Sequence, residues 1–218
     1  MIGIVDPSHM ATLSPDRFLT PDEVKLVADR DLFRAKERII LKVRDLLTEL
    51  HRGLREDLGR STLLLPPEFD PTKVQFVKGE HLEHCPYQYL DYPKHFLGDE
   101  KFTFRSLCWW GHQLVFAMIV EGGQVKQYRK NFVDRFHQMA GQGLELSLAP
   151  TLWEWKQGEG YTLPITHDRK AQLAAVLSGR SRFKIARFLP LDHPVMREGR
   201  LPELGRDTFR SLLPLLSP

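Results

Sequence analysis

The residues best suited to chemistry in this sequence are six that fall in two short stretches. Asp91 and Tyr92 belong to an LDYP segment, and Arg105, Trp109, Trp110 and His112 belong to FRSLCWWGH. A guanidinium on a core strand is costly to bury unless it is paired, so Arg105 should either meet an acid such as Asp91 or face a pocket. Tryptophans supply apolar walls with one N–H donor each, and a histidine titrates near neutrality. Together the six suit a pocket for a small aromatic or anionic ligand. The competing arrangement is a buried Asp91–Arg105 pair that fixes strand register, with the tryptophans as plain core.

Nucleophilic chemistry would use a thiol with a base beside it. Cys108 has His112 four residues on, and a turn at Gly111 would let the two approach; otherwise Cys108 is a small buried hydrophobe. An enzyme using His112 with Arg105 or Cys108 is therefore the alternative to a ligand-binding or protein-binding module. Gly79–Cys85 gathers His81, His84, Cys85, Glu80 and Glu83 within seven residues, all zinc-ligand types. No second cluster with paired spacing follows, so the expectation is a solvated loop, no metal and no cofactor. Gly122-Gly123 ahead of a helix lacks the spacing of either phosphate-loop fingerprint.

Basic residues gather at Lys126, Arg129, Lys130 and Arg135 and again at Arg180, Arg182, Lys184 and Arg187, the second group interleaved with Phe183 and Phe188. Such interleaving can track a phosphate backbone. The chain as a whole carries 31 basic against 28 acidic residues, a net charge of +3. That balance argues against a nucleic-acid protein and for a solvated face over a buried aromatic one.

The elements that must position these residues are legible from periodicity. Phe102, Phe104, Ser106, Cys108 and Trp110 alternate with Thr103, Arg105, Leu107 and Trp109, and the alternation resumes at Leu114–Val120. Apolar residues on both faces mark two central strands joined near Gly111. Val74–Lys78 reads as a short strand, Pro86–Tyr92 as another closed by Pro93. Leu144–Leu148, Leu152–Trp155, Tyr161–Pro164 and Arg182–Phe188 read as further strands. A helix with Val125, Tyr128, Phe132, Val133, Phe136 and Met139 buried follows the Gly pair. Asp168–Leu177 is a second helix and Thr208–Leu216 a last one, after a loop punctuated by Pro190, Pro194 and Pro202.

Thr20-Pro21-Asp22-Glu23 opens a helix with a capping box. Its stripe runs through Ile39, Val43, Leu46 or Leu47, Leu50 and Leu54 to a stop at Gly59, in one piece or broken near Asp31. At this length, on the order of 55 Å, the surplus either packs on a second copy as a homodimer or folds back. Met1–Met10 is set aside, since Ser8-His9-Met10 has the form of a vector-derived junction. Residues 1–19 are peripheral, and 20–218 should form one domain. Two cysteines allow no disulfide framework. The absence of a long apolar run or signal pattern suggests a cytoplasmic protein off the membrane.

The YQYLDYPKHF and FRSLCWWGHQLVFAMIVEG segments resemble a group of conserved bacterial proteins of unassigned activity that share an LDYP…FR…WWG block. The resemblance covers about Pro86–Val120. It implies an α+β bacterial cytosolic protein and carries over no functional residue. The fold expected is α+β, a largely antiparallel sheet flanked by helices, with a long N-terminal amphipathic helix.

Overall fold

The computed structural model describes residues 18–218; the expectations for Met1–Met10 and for most of the peripheral segment lie outside them. The chain divides after Leu41 into two units. In the first, Thr20 caps α1 (Pro21–Ala28): its hydroxyl accepts from the Glu23 amide while the Glu23 carboxylate accepts from the Thr20 amide. This is the capping box that the sequence spells out. The helix then breaks at Asp29, whose carboxylate accepts from the amides of Asp31 and Leu32 and so starts α2 (Arg30–Gly59).

The second unit is built on seven strands: β1 (Gln75–Leu82), β2 (Cys85–Leu97), β3 (Glu100–Trp109), β4 (Gln113–Glu121), β5 (Glu145–Ser147), β6 (Thr162–Pro164) and β7 (Arg182–Pro190). Their spatial order is β1-β2-β3-β4-β7-β5-β6, and every pair is antiparallel. β1 through β4 form a simple meander. β1 turns into β2 at Glu83 and His84, both at positive φ (47° and 65°), the conformation of a tight two-residue hairpin turn. The residues read as a solvated loop are thus mostly strand ends.

Even-numbered positions of β3 and β4 make the larger core. Phe102, Phe104, Cys108, Leu114, Phe116, Met118 and Val120 pack with Leu47, Leu50 and Leu54 of α2. The same core takes in Tyr128 and Phe132 of α3 (Val125–Asp134), Phe136 of α4 (Phe136–Met139), Leu173 of α5 (Lys170–Leu177) and Val195 of α6 (Pro194–Arg197). Phe209 of α7 (Leu201–Ser211) and Leu215 of α8 (Leu213–Leu216) complete it. Odd-numbered positions, Leu107, Trp109, Val115, Ala117 and Ile119, make a smaller core with Leu152 and Trp155.

Other element readings change as well. Pro93 does not end β2; the strand passes through it with a register shift between Asp91 and Lys94, a bulge being where a sheet tolerates a residue without an N–H. Leu152–Trp155 is not a strand. It belongs to an irregular strap, residues 148–161, in which the carbonyls of Leu148, Pro150, Leu152, Glu154 and Trp155 accept from side chains instead of a ladder. The long helix after Gly123 breaks at Arg135 into α3 and α4. The last helix starts earlier than Thr208, at Leu201: Pro202 sits in its first turn, where a missing N–H costs nothing.

Candidate functional site

On the odd-numbered face, β2 and β3 pair Asp91 directly opposite Arg105. Arg105 Nε and Nη2 donate to Asp91 Oδ1 and Oδ2, both at 2.7 Å. The guanidinium lies 3.8 Å above the Tyr89 ring, with Trp153 and Trp155 of the strap at 5.0 and 5.5 Å. Both charges are buried. Arg105 is therefore committed to Asp91 and walled in by aromatic rings, which is the register-fixing arrangement.

The same face holds a second buried cation, Lys184 of β7, 1% exposed. Its ammonium donates to the carbonyls of Leu152 (3.1 Å) and Glu154 and lies 4.1 Å from the Trp155 ring centroid. Burial pushes it down to about 7. Arg180 and Arg182 extend the row, donating to the carbonyls of Ser147 (2.9 Å) and Pro150 (3.2 Å). Of the basic group that resembled a phosphate track, Arg182 and Lys184 bind the strap, Arg180 bonds the end of β5 and the strap's first residue, and Arg187 donates to the Gln142 carbonyl. Arg129 and Arg135 of the other group likewise donate to carbonyls, of Leu177 and of Pro214 and Ser217.

The six sequence-selected residues do not converge. Trp109 and His112 stack at 3.7 Å, and Trp109 Nε1 donates to the Leu82 carbonyl. Trp109 lies four residues along the strand from Arg105, about 13 Å. Together with Lys156 and Tyr161 the stacked pair borders an open groove. Trp110 is half-buried against the larger core, and Tyr92 points to that core as well. Cys108 is also in the larger core, on the face opposite Trp109, and burial pushes its thiol up to about 12. Nothing places it with His112. Among the described residues no group of three or more His, Cys, Asp and Glu side chains is disposed to hold a metal ion.

Tyr92 is the member that meets a cavity. A space of about 590 Å³ lies between the last turns of α2, the proline-rich connector and β2. Leu58, Leu65, Phe69 and Pro71 give it apolar walls, and His51, Arg55, Thr72 and Tyr92 supply polar atoms. Tyr92 donates its hydroxyl hydrogen to the Pro71 carbonyl at 3.1 Å, and its ring meets His51 edge-on at 4.6 Å. Burial, then the neighbouring Arg55, hold the His51 imidazole below the ordinary histidine range, so it is neutral at pH 7. Burial raises the Tyr92 phenol, so it too is neutral. Arg55 is exposed and enters no salt bridge among the described residues.

No protein-family model, curated protein or solved structure matches this chain.

The cavity therefore stands on its own geometry. Sequence reasoning reached Tyr92 but missed His51 and Arg55, which sit one helical turn apart on the border of the Leu47–Leu50–Leu54 stripe. A histidine and an arginine at i and i+4 beside a buried stripe, followed by Pro66, Pro67 and Pro71, were the available signal. Pro67 and Pro71 each open a turn in the connector. Among the described residues no helix is long and apolar enough to cross a membrane.

Proposed function

We propose that this protein is a small-ligand-binding module of the bacterial cytoplasm, and that its site is the His51–Arg55–Tyr92 cavity. The ligand class is a compact aromatic or apolar body bearing one anionic group. The observation that carries this reading is Arg55, a cation with no acidic partner among the described residues, at an apolar cavity of about 590 Å³. A planar guanidinium receives a carboxylate through two parallel hydrogen bonds. His51, neutral at pH 7, adds a directional donor or acceptor without competing for the anion. The lining contains no carboxylate and no thiol, which favours binding over catalysis.

Calorimetric titration with benzoate and indole-3-acetate, against neutral benzamide, tests the reading. The carboxylates should bind and benzamide should bind at least tenfold more weakly. Arg55→Met should remove that preference while leaving the thermal melt of the unliganded protein unchanged. Equal affinities for benzoate and benzamide, or carboxylate binding untouched by Arg55→Met, would overturn it.

A further inference from the structure

Between Thr20 and Leu41 most of the large apolar side chains are exposed. α1 buries none of its residues, and Val24, Val27, Leu32, Phe33 and Ile39 are all exposed. In α2, Leu32 and Ile39 fall on the three- and four-residue spacing that continues as Val43, Leu47, Leu50 and Leu54. That stripe is buried from Val43 onward and exposed at Leu32 and Ile39. A row of large apolar side chains rimmed by charges marks a protein contact surface, and this spacing is the one with which helices pack side by side.

The charges along the row say what covers it. Thr20–Asp31 carries Asp22, Glu23, Asp29 and Asp31 against Lys25 and Arg30, a surplus of two negative charges. Leu32–Leu41 carries Arg34, Lys36 and Arg38 against Glu37, a surplus of two positive charges. The two stretches are of nearly equal length. A second copy laid parallel would set like charge against like. Laid antiparallel, each acidic end meets the partner's basic end, and the apolar rows face each other across a two-fold axis, as a self-complementary interface requires.

We infer that a second copy of this chain covers the row, with the Thr20–Leu41 segments packed antiparallel in a homodimer. This is independent of the ligand cavity, none of whose lining residues lies in that segment.

Sedimentation of the full chain over a dilution series tests it. The chain should run as a dimer that loosens as salt is raised, since exposed charge pairs are screened. Leu32→Asp with Ile39→Asp should give a folded monomer whose melt no longer depends on protein concentration, because both residues are exposed in the single chain. Arg34→Glu with Arg38→Glu should weaken the dimer at least tenfold. Adding Asp22→Lys and Asp31→Lys to that same chain should restore it, since the complementarity is then reversed but complete. Circular dichroism of each variant checks that the helix persists. A chain that stays monomeric at every concentration overturns the inference and leaves the row to another partner. A dimer indifferent to the charge reversals, or broken equally by the four-residue variant, also overturns it.

Discussion

Arg105 and Asp91 face each other across β3 and β2 and share two hydrogen bonds of 2.7 Å. The geometry is that of a two-pronged arginine–carboxylate pair, the strongest form of charged hydrogen bond. It sits immediately before the β2 bulge, where the register shifts between Asp91 and Lys94. A one-residue slip there would carry Asp91 to the opposite face, against the larger apolar core. The pair thus pins the β2–β3 register directly beside the place where that pairing shifts.

Breaking one side of the pair leaves the other charge buried and uncompensated. Arg105→Met should therefore cost on the order of 3–5 kcal/mol, and Asp91→Leu in the same chain should restore most of it. A double-mutant cycle by urea melts is expected to show coupling above about 1 kcal/mol. Additive melts would mean that the pair does not hold the sheet.

Lys184 gives the protein a pH dependence of definite sign. Burial brings its ammonium down to about 7, whereas an unfolded lysine holds its proton up to about 10.4. Between these values the unfolded chain binds more protons, so stability rises with pH across that window. Below it the side chain is charged in both states and the full cost of burying the charge remains. The wild type should gain at most about 2–3 kcal/mol between pH 7 and pH 9 relative to Lys184→Met, at about 1.4 kcal/mol per unit. Urea midpoints of the two proteins that move in parallel with pH would contradict this.

The two thiols should differ. Cys85 is half-buried at the β1–β2 hairpin, while Cys108 is buried and its thiol is pushed up to about 12. Only a thiolate attacks a disulfide reagent. Native protein should therefore release one equivalent of thionitrobenzoate from Ellman's reagent, from Cys85, and a second only on unfolding. Prompt reaction of Cys108 in the native state would show that the larger core opens.

Much of the sheet was legible because its pattern is local. The two-residue alternation through Phe102–Trp109 and Leu114–Val120 states both strands and both faces, and Thr20-Pro21-Asp22-Glu23 states a helix start. The Asp91–Arg105 pair was legible as one of two alternatives, since a guanidinium in a core strand requires an acid or a pocket. The strap was not legible. Leu152–Trp155 has the composition of a strand, but its carbonyls are met by Lys184 and Gln113 from distant strands, which no local pattern announces. The cavity was hidden for the same reason: its walls come from a helix end, a connector and the far side of β2.

Gly205 separates local propensity from packing. It lies in the interior of α7, where alanine is ordinarily the better helix former by about 0.5–1 kcal/mol. Yet a Cβ added there would stand 2.8 Å from both Leu50 methyl carbons and 2.9 Å from Phe116 Cε1. Leu50 and Phe116 are fully buried, so neither has free space to move into. The glycine is what lets α7 approach α2 and β4 this closely. Gly205→Ala should therefore destabilise, by about 1–3 kcal/mol, against the sign of helix propensity. Gly59→Ala serves as the control, since a Cβ there meets nothing within 4 Å, and it should be neutral or slightly stabilising. Leu50→Val removes both clashing methyl carbons, so it should cost less in the Gly205→Ala chain than in the wild type. Thermal melts of the five proteins decide the matter: a stabilised Gly205→Ala would show that α7 stands farther from the sheet than these contacts require.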